Sequence, residues 1–387
     1  MRIAQVGVYF APFMVGGAEW YMLNVSKELA RRGNEVHVFT AEKYKGTTLP
    51  RQETIDGVTV HRIPLRFDLS YRLKLWDGLG DSIKSFDFDV VHAYDYAQPH
   101  TAIAMRAGKD MGSKNIITVF DVHSMIPRPW YKQLPMRRIE RYFAERSFPL
   151  SDKVLVRAPE LILPLEGLGV SRDKIIVTPS GILESALEPA DGQIFLKEHG
   201  IEGSPVILYF GRMNPLKGPQ HLIEAAPRVL QTFPKATFLL IGPDQGGYAA
   251  KLNRKVKQLG IENNVRIMEP IYEHVSKMQA FASCDIFVLP TSYEGTSQSI
   301  FEAMAQGKPV VSTRTGGIPF QVDDGVDGIL LPLPVSVSQL GDTLVELLSD
   351  KHKAHTISVN AKQKAAKFTY NSLVDKLLGI YEGKYTT

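Results

Sequence analysis

Between Asp285 and Gly307 the chain reads as a buried strand, a loop and a short helix, a unit that narrows the possible folds sharply. Asp285-Ile286-Phe287-Val288-Leu289-Pro290 holds an unbroken apolar run of strand length, the pattern of a strand covered on both faces. Ser299 to Gln306 has helical character and stops at Gly307, where glycine can take the left-handed conformation. Units of this kind build parallel sheets, and open parallel sheets bind ligands outside the carboxyl ends of their strands. Glu294 then falls on the strand-to-helix loop, and Glu302, eight positions on, lies one to two turns into the helix. Both are expected to face the crevice. The start of the helix offers unpaired N–H groups and a positive dipole end to an anion. A carboxylate only accepts hydrogen bonds, so a pair beside an anion site suits the hydroxyls of a sugar.

The same alternation runs through the whole chain and predicts two consecutive doubly wound α/β domains. Strands are expected at Ile3–Tyr9, Glu35–Thr40, Asp89–Ala93, Asn115–Phe120, Lys153–Val156 and Ile175–Thr178, then at Pro205–Phe210, Ala236–Ile241, Val265–Met268, Pro309–Ser312 and Gly328–Leu331. Met22, Val25 and Leu29 share one helix face, and Leu222, Ala225, Ala226, Val229 and Leu230 share another. A basic, aromatic helix is expected from Pro135 to Phe148, a hinge over Leu183–Gly192 and a terminal helix over Tyr370–Tyr385. A length of 387 residues is comfortable for two domains.

Several function classes fall away. Gly16-Gly17 opens a helix but fails the dinucleotide pattern G-x-G-x-x-G, which argues against a nicotinamide enzyme. The single cysteine, Cys284, permits neither an internal disulfide nor a Cys-based metal cluster, and reads as a small buried residue. The opening run MRIAQVGVYFAP is too short for a signal peptide, and no segment is apolar enough to span a bilayer, so the expected setting is cytoplasmic. Charge is concentrated. From Ser124 to Arg146 the chain carries Arg128, Lys132, Arg137, Arg138, Arg141 and Arg146 against Glu140 and Glu145, a surplus equal to the net +4 of the whole. These cations are interleaved with Trp130, Tyr131, Phe143 and Phe148, and Arg62, Arg66, Arg72 and Lys74 accompany Phe67, Tyr71 and Trp76 upstream. That mixture suits an anionic membrane surface, with peripheral attachment at the inner face. No nucleic-acid motif accompanies it.

The stretch SYEGTSQSIFEAMAQG resembles the carboxylate signature of retaining nucleotide-sugar glycosyltransferases of family 4, which have the two-domain GT-B fold. The resemblance implies two Rossmann-like domains facing across a cleft. Residues 1–182 would form the acceptor-side domain, 183–368 the nucleotide-sugar domain, and 369–387 a helix crossing back to the first. Thr296-Ser297 stands where the family has Phe-Gly. Gly211-Arg212-Met213-Asn214-Pro215-Leu216-Lys217-Gly218 matches the family's diphosphate clamp, with a bidentate Arg212 and Lys217 as a point charge. By the same likeness Glu302 would hold the ribose and Glu294 the sugar, with Gly295, Thr296 and Ser297 around them and Gly242 bordering the base. Gly16 and Gly17 would face the donor phosphates, and Glu19, His92, His123 and Arg128 the acceptor, His92 more in a supporting role because a lone histidine is more often structural. In the family's T-x-H-D element Phe120 occupies the histidine slot; either His123, three residues later, takes the role as a catalytic or acceptor contact, which is the favoured expectation, or this branch lacks that histidine.

The expected activity is metal-independent transfer of a hexosyl group, with retained configuration, from a UDP- or GDP-sugar to a lipid-linked or saccharide acceptor. No cofactor is required, and no D-x-D lies in the cleft-facing segments to hold a metal. Lacking a carboxylate nucleophile in the first domain, the mechanism would be front-face attack, with closure of the domains excluding water. A nucleotide-sugar epimerase and a non-catalytic nucleotide-sugar-binding protein are the alternatives.

Overall fold

The computed structural model describes all residues except 15, 45, 69–73, 123–124, 127–128 and 386–387. The chain forms two compact units, Met1–Gly181 with Tyr370–Thr387, and Ile182–Thr369. In the second unit a six-stranded sheet runs in the order Val265–Met268, Thr237–Ile241, Val206–Phe210, Ile286–Leu289, Val310–Thr313, Ile329–Leu331. Every pairing is parallel. The chain builds outward in one direction from Val206–Phe210, then crosses to Ile286–Leu289 on its other side and builds the opposite way. Loops leaving those two neighbouring strands therefore diverge and open a crevice at their carboxyl ends.

The first unit repeats the plan in eight strands, ordered Ile175–Val177, Lys153–Val156, Lys114–Val119, Val90–Tyr94, Arg2–Val6, Glu35–Ala41, Val58–Ile63, Gln52–Ile55. Only the last pairing is antiparallel. Here the order reverses between Arg2–Val6 and Val90–Tyr94.

Continuous apolar runs made both sheets readable, because strands covered on two faces show no polar alternation. Ile207, Leu208, Tyr209, Phe287 and Val288 are wholly buried, and Leu222, Ala225, Ala226 and Val229 pack one side of that sheet from the helix Pro219–Leu230. Cys284 is buried as expected. The first sheet carries a polar layer instead. His92 is fully buried, with Nδ1 2.6 Å from Tyr381 Oη and Nε2 2.7 Å from Thr118 Oγ1. Tyr381 comes from the helix Tyr370–Tyr381, which lies on Gly17–Arg31 and is tied there by Arg32 to Asp375 and to the Asn371 carbonyl.

Three expectations shift. The basic helix starts five residues early and spans Trp130–Ser147 with Pro135 inside it. The terminal helix ends at Tyr381 rather than Tyr385, before Gly383 at a φ of +79°. The run read as a hinge is pinned to the second unit by Gln306, whose Nε2 donates to the carbonyls of Ala186 at 2.7 Å and Glu188 at 2.9 Å.

Burial lowers the His92 imidazole to about 3, and burial with the neighbouring His37 lowers His61 to about 4. In the unfolded chain both sit near 6.5. The folded state thus binds fewer protons, and the stability this represents is present above pH 6.5 and lost as pH falls toward 4 and 3. Glu160 opposes them. Burial and the Asp121 charge, partly offset by a backbone hydrogen bond, raise it to about 7, so its contribution is lost as pH rises from 4.5 through 7. Urea midpoints should accordingly rise from about pH 4 to pH 6, and Glu160→Gln should gain on wild type as pH climbs from about 4.5 to about 7 and keep that gain above it. A midpoint indifferent to pH over the acid range would contradict the histidine placements.

Candidate active site

The crevice at the second unit's reversal point is built by the loop after Val206–Phe210 and the loop after Ile286–Leu289. Main-chain and hydroxyl contacts lock these loops together. The Leu216 carbonyl accepts from the Ser292 N–H and from Thr291 Oγ1, each at 2.8 Å. Asn214 Oδ1 accepts the Lys217 N–H at 3.0 Å, shaping the turn that presents the lysine. Tyr209 Oη donates to the Arg212 carbonyl at 2.8 Å, and burial holds that phenol above its usual range. At Gly218 φ is +77° and a Cβ would sit 2.0 Å from the Pro290 carbonyl oxygen, so the loops meet only because this residue is glycine.

Within this frame Lys217 Nζ is hydrogen-bonded to Glu294 Oε2, with both side chains mostly buried. Arg212, on the same loop, is exposed. Glu302 is only 5% exposed and is paired with Lys277 at 2.6 Å. Each of the two carboxylates is thus paired with its own lysine. Thr296 and Ser297 are buried at the start of the helix Gln298–Ala305. Gln321 holds that turn, accepting the Ser297 N–H at 2.7 Å and donating to its carbonyl at 2.8 Å. Thr296 Oγ1 is buried with no hydrogen-bond partner among the described residues. Gly242 lies against Gly211, where a Cβ would fall 2.1 Å from the Gly211 oxygen. Lys277 and Gln321 gave no signal in the sequence, because both act through contacts more than twenty residues distant.

At the first unit's reversal point lies a cavity of about 160 Å³ lined by Gly7, Tyr9, Glu19, Asp95, Phe120 and Asp121, among others. Glu19 is 4% exposed and accepts the Gly16 N–H at 2.8 Å, closing the helix start. Phe120 does occupy this wall. His123 and Arg128 lie outside the described residues. His92 is a correction: with both ring nitrogens bonded inside the sheet, it cannot meet an acceptor. The basic surface is also revised. Arg62 is buried against Glu53 and the Ala11 carbonyl, Lys74 is buried beside Asp68, and Trp76 and Phe148 are core residues. Arg72 and Tyr71 lie outside the described residues. Among the described residues Trp130, Tyr131, Leu134 and Tyr142 remain exposed with Arg137, Arg138, Arg141 and Arg146 on one helix, and Arg66 and Phe67 remain exposed on the strand Leu65–Asp68.

Residues 192–364 match the family model described as Glycosyl transferases group 1, and residues 15–184 the one described as Glycosyltransferase Family 4. The D-inositol 3-phosphate glycosyltransferase of Stackebrandtia nassauensis is 25% identical, over 98% of this chain and 91% of its own. The MMP alpha-(1->4)-mannosyltransferase of Mycolicibacterium hassiacum is 25% identical over 99% and 98%. Among solved structures, HepE of Anabaena in complex with UDP superposes with a TM-score of 0.79 at 21% identity, covering 99% of this chain and all of that one. WaaG, a glycosyltransferase involved in lipopolysaccharide biosynthesis, superposes with a TM-score of 0.75 at 18% identity over 98% and 100%. Two parallel-sheet units with these structural neighbours define the GT-B fold, and the matching family models make the chain an enzyme that transfers a sugar. The chain belongs to the group 1 glycosyltransferases of family 4.

Proposed function

We propose that this enzyme moves a hexosyl group from a nucleoside diphosphate sugar to an acceptor hydroxyl, without a metal and with retention of configuration. The observation that carries the reading is the locked pair of loops in the second unit, in which Lys217 pairs with Glu294 and Arg212 lies on the same loop as Lys217. Arg212 and Lys217 take the diphosphate, and their charge stabilises the leaving group as it departs. In the resting pair Glu294 stands in for phosphate oxygens on Lys217. When the donor enters, the lysine turns to phosphate and Glu294 to the sugar hydroxyls. Glu302, held by Lys277, receives the ribose, and Gly295, Thr296 and Ser297 close the turn around the donor. Gly211 and Gly242 let the backbone come near the base. Gly16 and Gly17 are proposed to face the phosphates; a Cβ at Gly17 would meet nothing within 4 Å, so packing within the protein does not demand glycine there. Acceptor contacts come from the cavity beside Glu19 and Phe120. His123 and Arg128 are proposed for the same side. Relatives named for sugar transfer and neighbours holding UDP or UDP-glucose support this reading.

Steady-state kinetics test the division of labour. Glu302→Ala should chiefly raise the donor KM, because the ribose is gripped alike in the ground and transition states. Glu294→Ala should chiefly lower kcat, because its hydrogen bonds strengthen as the sugar flattens. The reverse pattern would exchange the two roles.

Attachment to an anionic membrane is part of the proposal, on the strength of the exposed aromatic and basic face of Trp130–Ser147. In sedimentation with vesicles the protein should need anionic lipid and be released by salt. Arg137→Ser with Arg138→Ser should bind several-fold more weakly. Protein that stays in the supernatant under every condition would point to a soluble acceptor.

A further inference from the structure

Arg157 stands at the carboxyl end of Lys153–Val156 and is 9% exposed. Its guanidinium carbon lies 5.5 Å from the centroid of the Phe120 ring and 5.8 Å from that of Tyr21. Among the described residues it has no ion pair or hydrogen bond, and its Nε is buried without a partner. Two more groups able to donate are in the same condition nearby. Tyr21 Oη and Thr178 Oγ1 are buried and close to each other, yet neither has a partner at normal hydrogen-bond geometry.

A guanidinium carries five donors, no acceptor, and a charge that it cannot shed at any physiological pH. A buried lysine can lose its proton, whereas a buried arginine needs an anion. The ring faces of Phe120 and Tyr21 offset part of the lost hydration, but an uncompensated buried cation remains unfavourable. The acids of the adjoining cavity, Glu19, Asp95 and Asp121, do not pair with it. Phe120 links the two: it lines that cavity, and the Arg157 guanidinium, itself not part of the lining, lies over its ring.

We infer that Arg157 receives an anionic oxygen group, a phosphate or a carboxylate, carried by the substrate that occupies the cavity beside Phe120. This deepens the transferase reading by giving the acceptor a charged substituent, and it rests on that reading only in naming the ligand a substrate. Arg157 would then be a specificity residue, favouring acceptors that bring the anion and rejecting those that leave the guanidinium buried and unpaired.

The test is thermal melting of wild type, Arg157→Gln and Arg157→Lys, with saturating UDP occupying the donor site. Inorganic phosphate or acetate is titrated against chloride at equal ionic strength. Either anion should raise the wild-type Tm by about 2–4 °C beyond chloride. The increment should vanish in Arg157→Gln and survive in part in Arg157→Lys. A response to phosphate alone identifies a phosphate site, and a response to both admits a carboxylate. In chloride Arg157→Gln should melt no lower than wild type, because it removes an unpaired charge. Equal increments in wild type and Arg157→Gln, or none in either, would overturn the inference. Should Arg157→Gln fail to fold, phenylglyoxal labelling of the wild type answers the same question. Phosphate should shield Arg157 in peptide maps, and undiminished labelling would contradict the site. If neither UDP nor GDP in its place raises the Tm, the nucleotide-sugar reading fails and the Arg157 measurement still stands.

Discussion

Arg212→Ala is expected to lower sugar transfer by about two orders of magnitude or more while leaving the fold intact, and Lys217→Ala to do the same. Removing one preorganised donor from a developing charge typically raises the barrier by about 3 kcal/mol, roughly a hundredfold in rate. Arg212 is exposed, so its loss removes no packing and should not move the melting temperature. Lys217 differs, because its ion pair with Glu294 is mostly buried. Lys217→Ala leaves that carboxylate alone and should also lower stability by about 1–3 kcal/mol. Circular dichroism separates the two losses, since both proteins should keep native spectra at 25 °C. Near-normal turnover in either variant would remove the diphosphate clamp from the mechanism.

Gly316→Ala should damage the site from outside it. Gly316 has a φ of +50°, and a Cβ there would fall 1.8 Å from the Glu294 carbonyl oxygen. That same carbonyl accepts the Gly317 N–H at 3.2 Å, so the Glu294 loop rests directly on this turn. Left-handed strain and the clash cannot both be relieved without displacing Glu294. A loss of about 3 kcal/mol is expected, roughly 10 °C in Tm, with turnover falling more than tenfold. A variant that melts and turns over like wild type would show that the Glu294 loop is not held as described.

What the sequence disclosed and what it hid divide along physical lines. The buried parallel strands were legible because burial on both faces turns them into unbroken apolar runs, as in Ile286–Leu289 and Val206–Phe210. The Glu294 loop was legible because it sits between such a strand and a helix stop at Gly307. Partners were not. Lys277 reads as an ordinary exposed helix lysine, and only the folded chain brings it to Glu302. A structural role for His92 was foreseeable, since a lone histidine more often serves the fold, but its partner was not, because Tyr381 arrives from the far end of the chain. Arg62 and Lys74 misled for a related reason. Charged residues normally face water, and the acids that permit their burial, Glu53 and Asp68, are recognisable only once the strands pair.

Whether the enzyme works on a nucleotide sugar is decided by labelled donor. The protein is incubated in EDTA with UDP- and GDP-hexoses and a panel of acceptors with and without a phosphate, and the products are read by NMR. The expected product carries the label on an acceptor hydroxyl, with the donor's anomeric configuration. Free epimerised sugar nucleotide, donor bound but unchanged, or transfer only after a divalent metal is restored would contradict the proposed reaction.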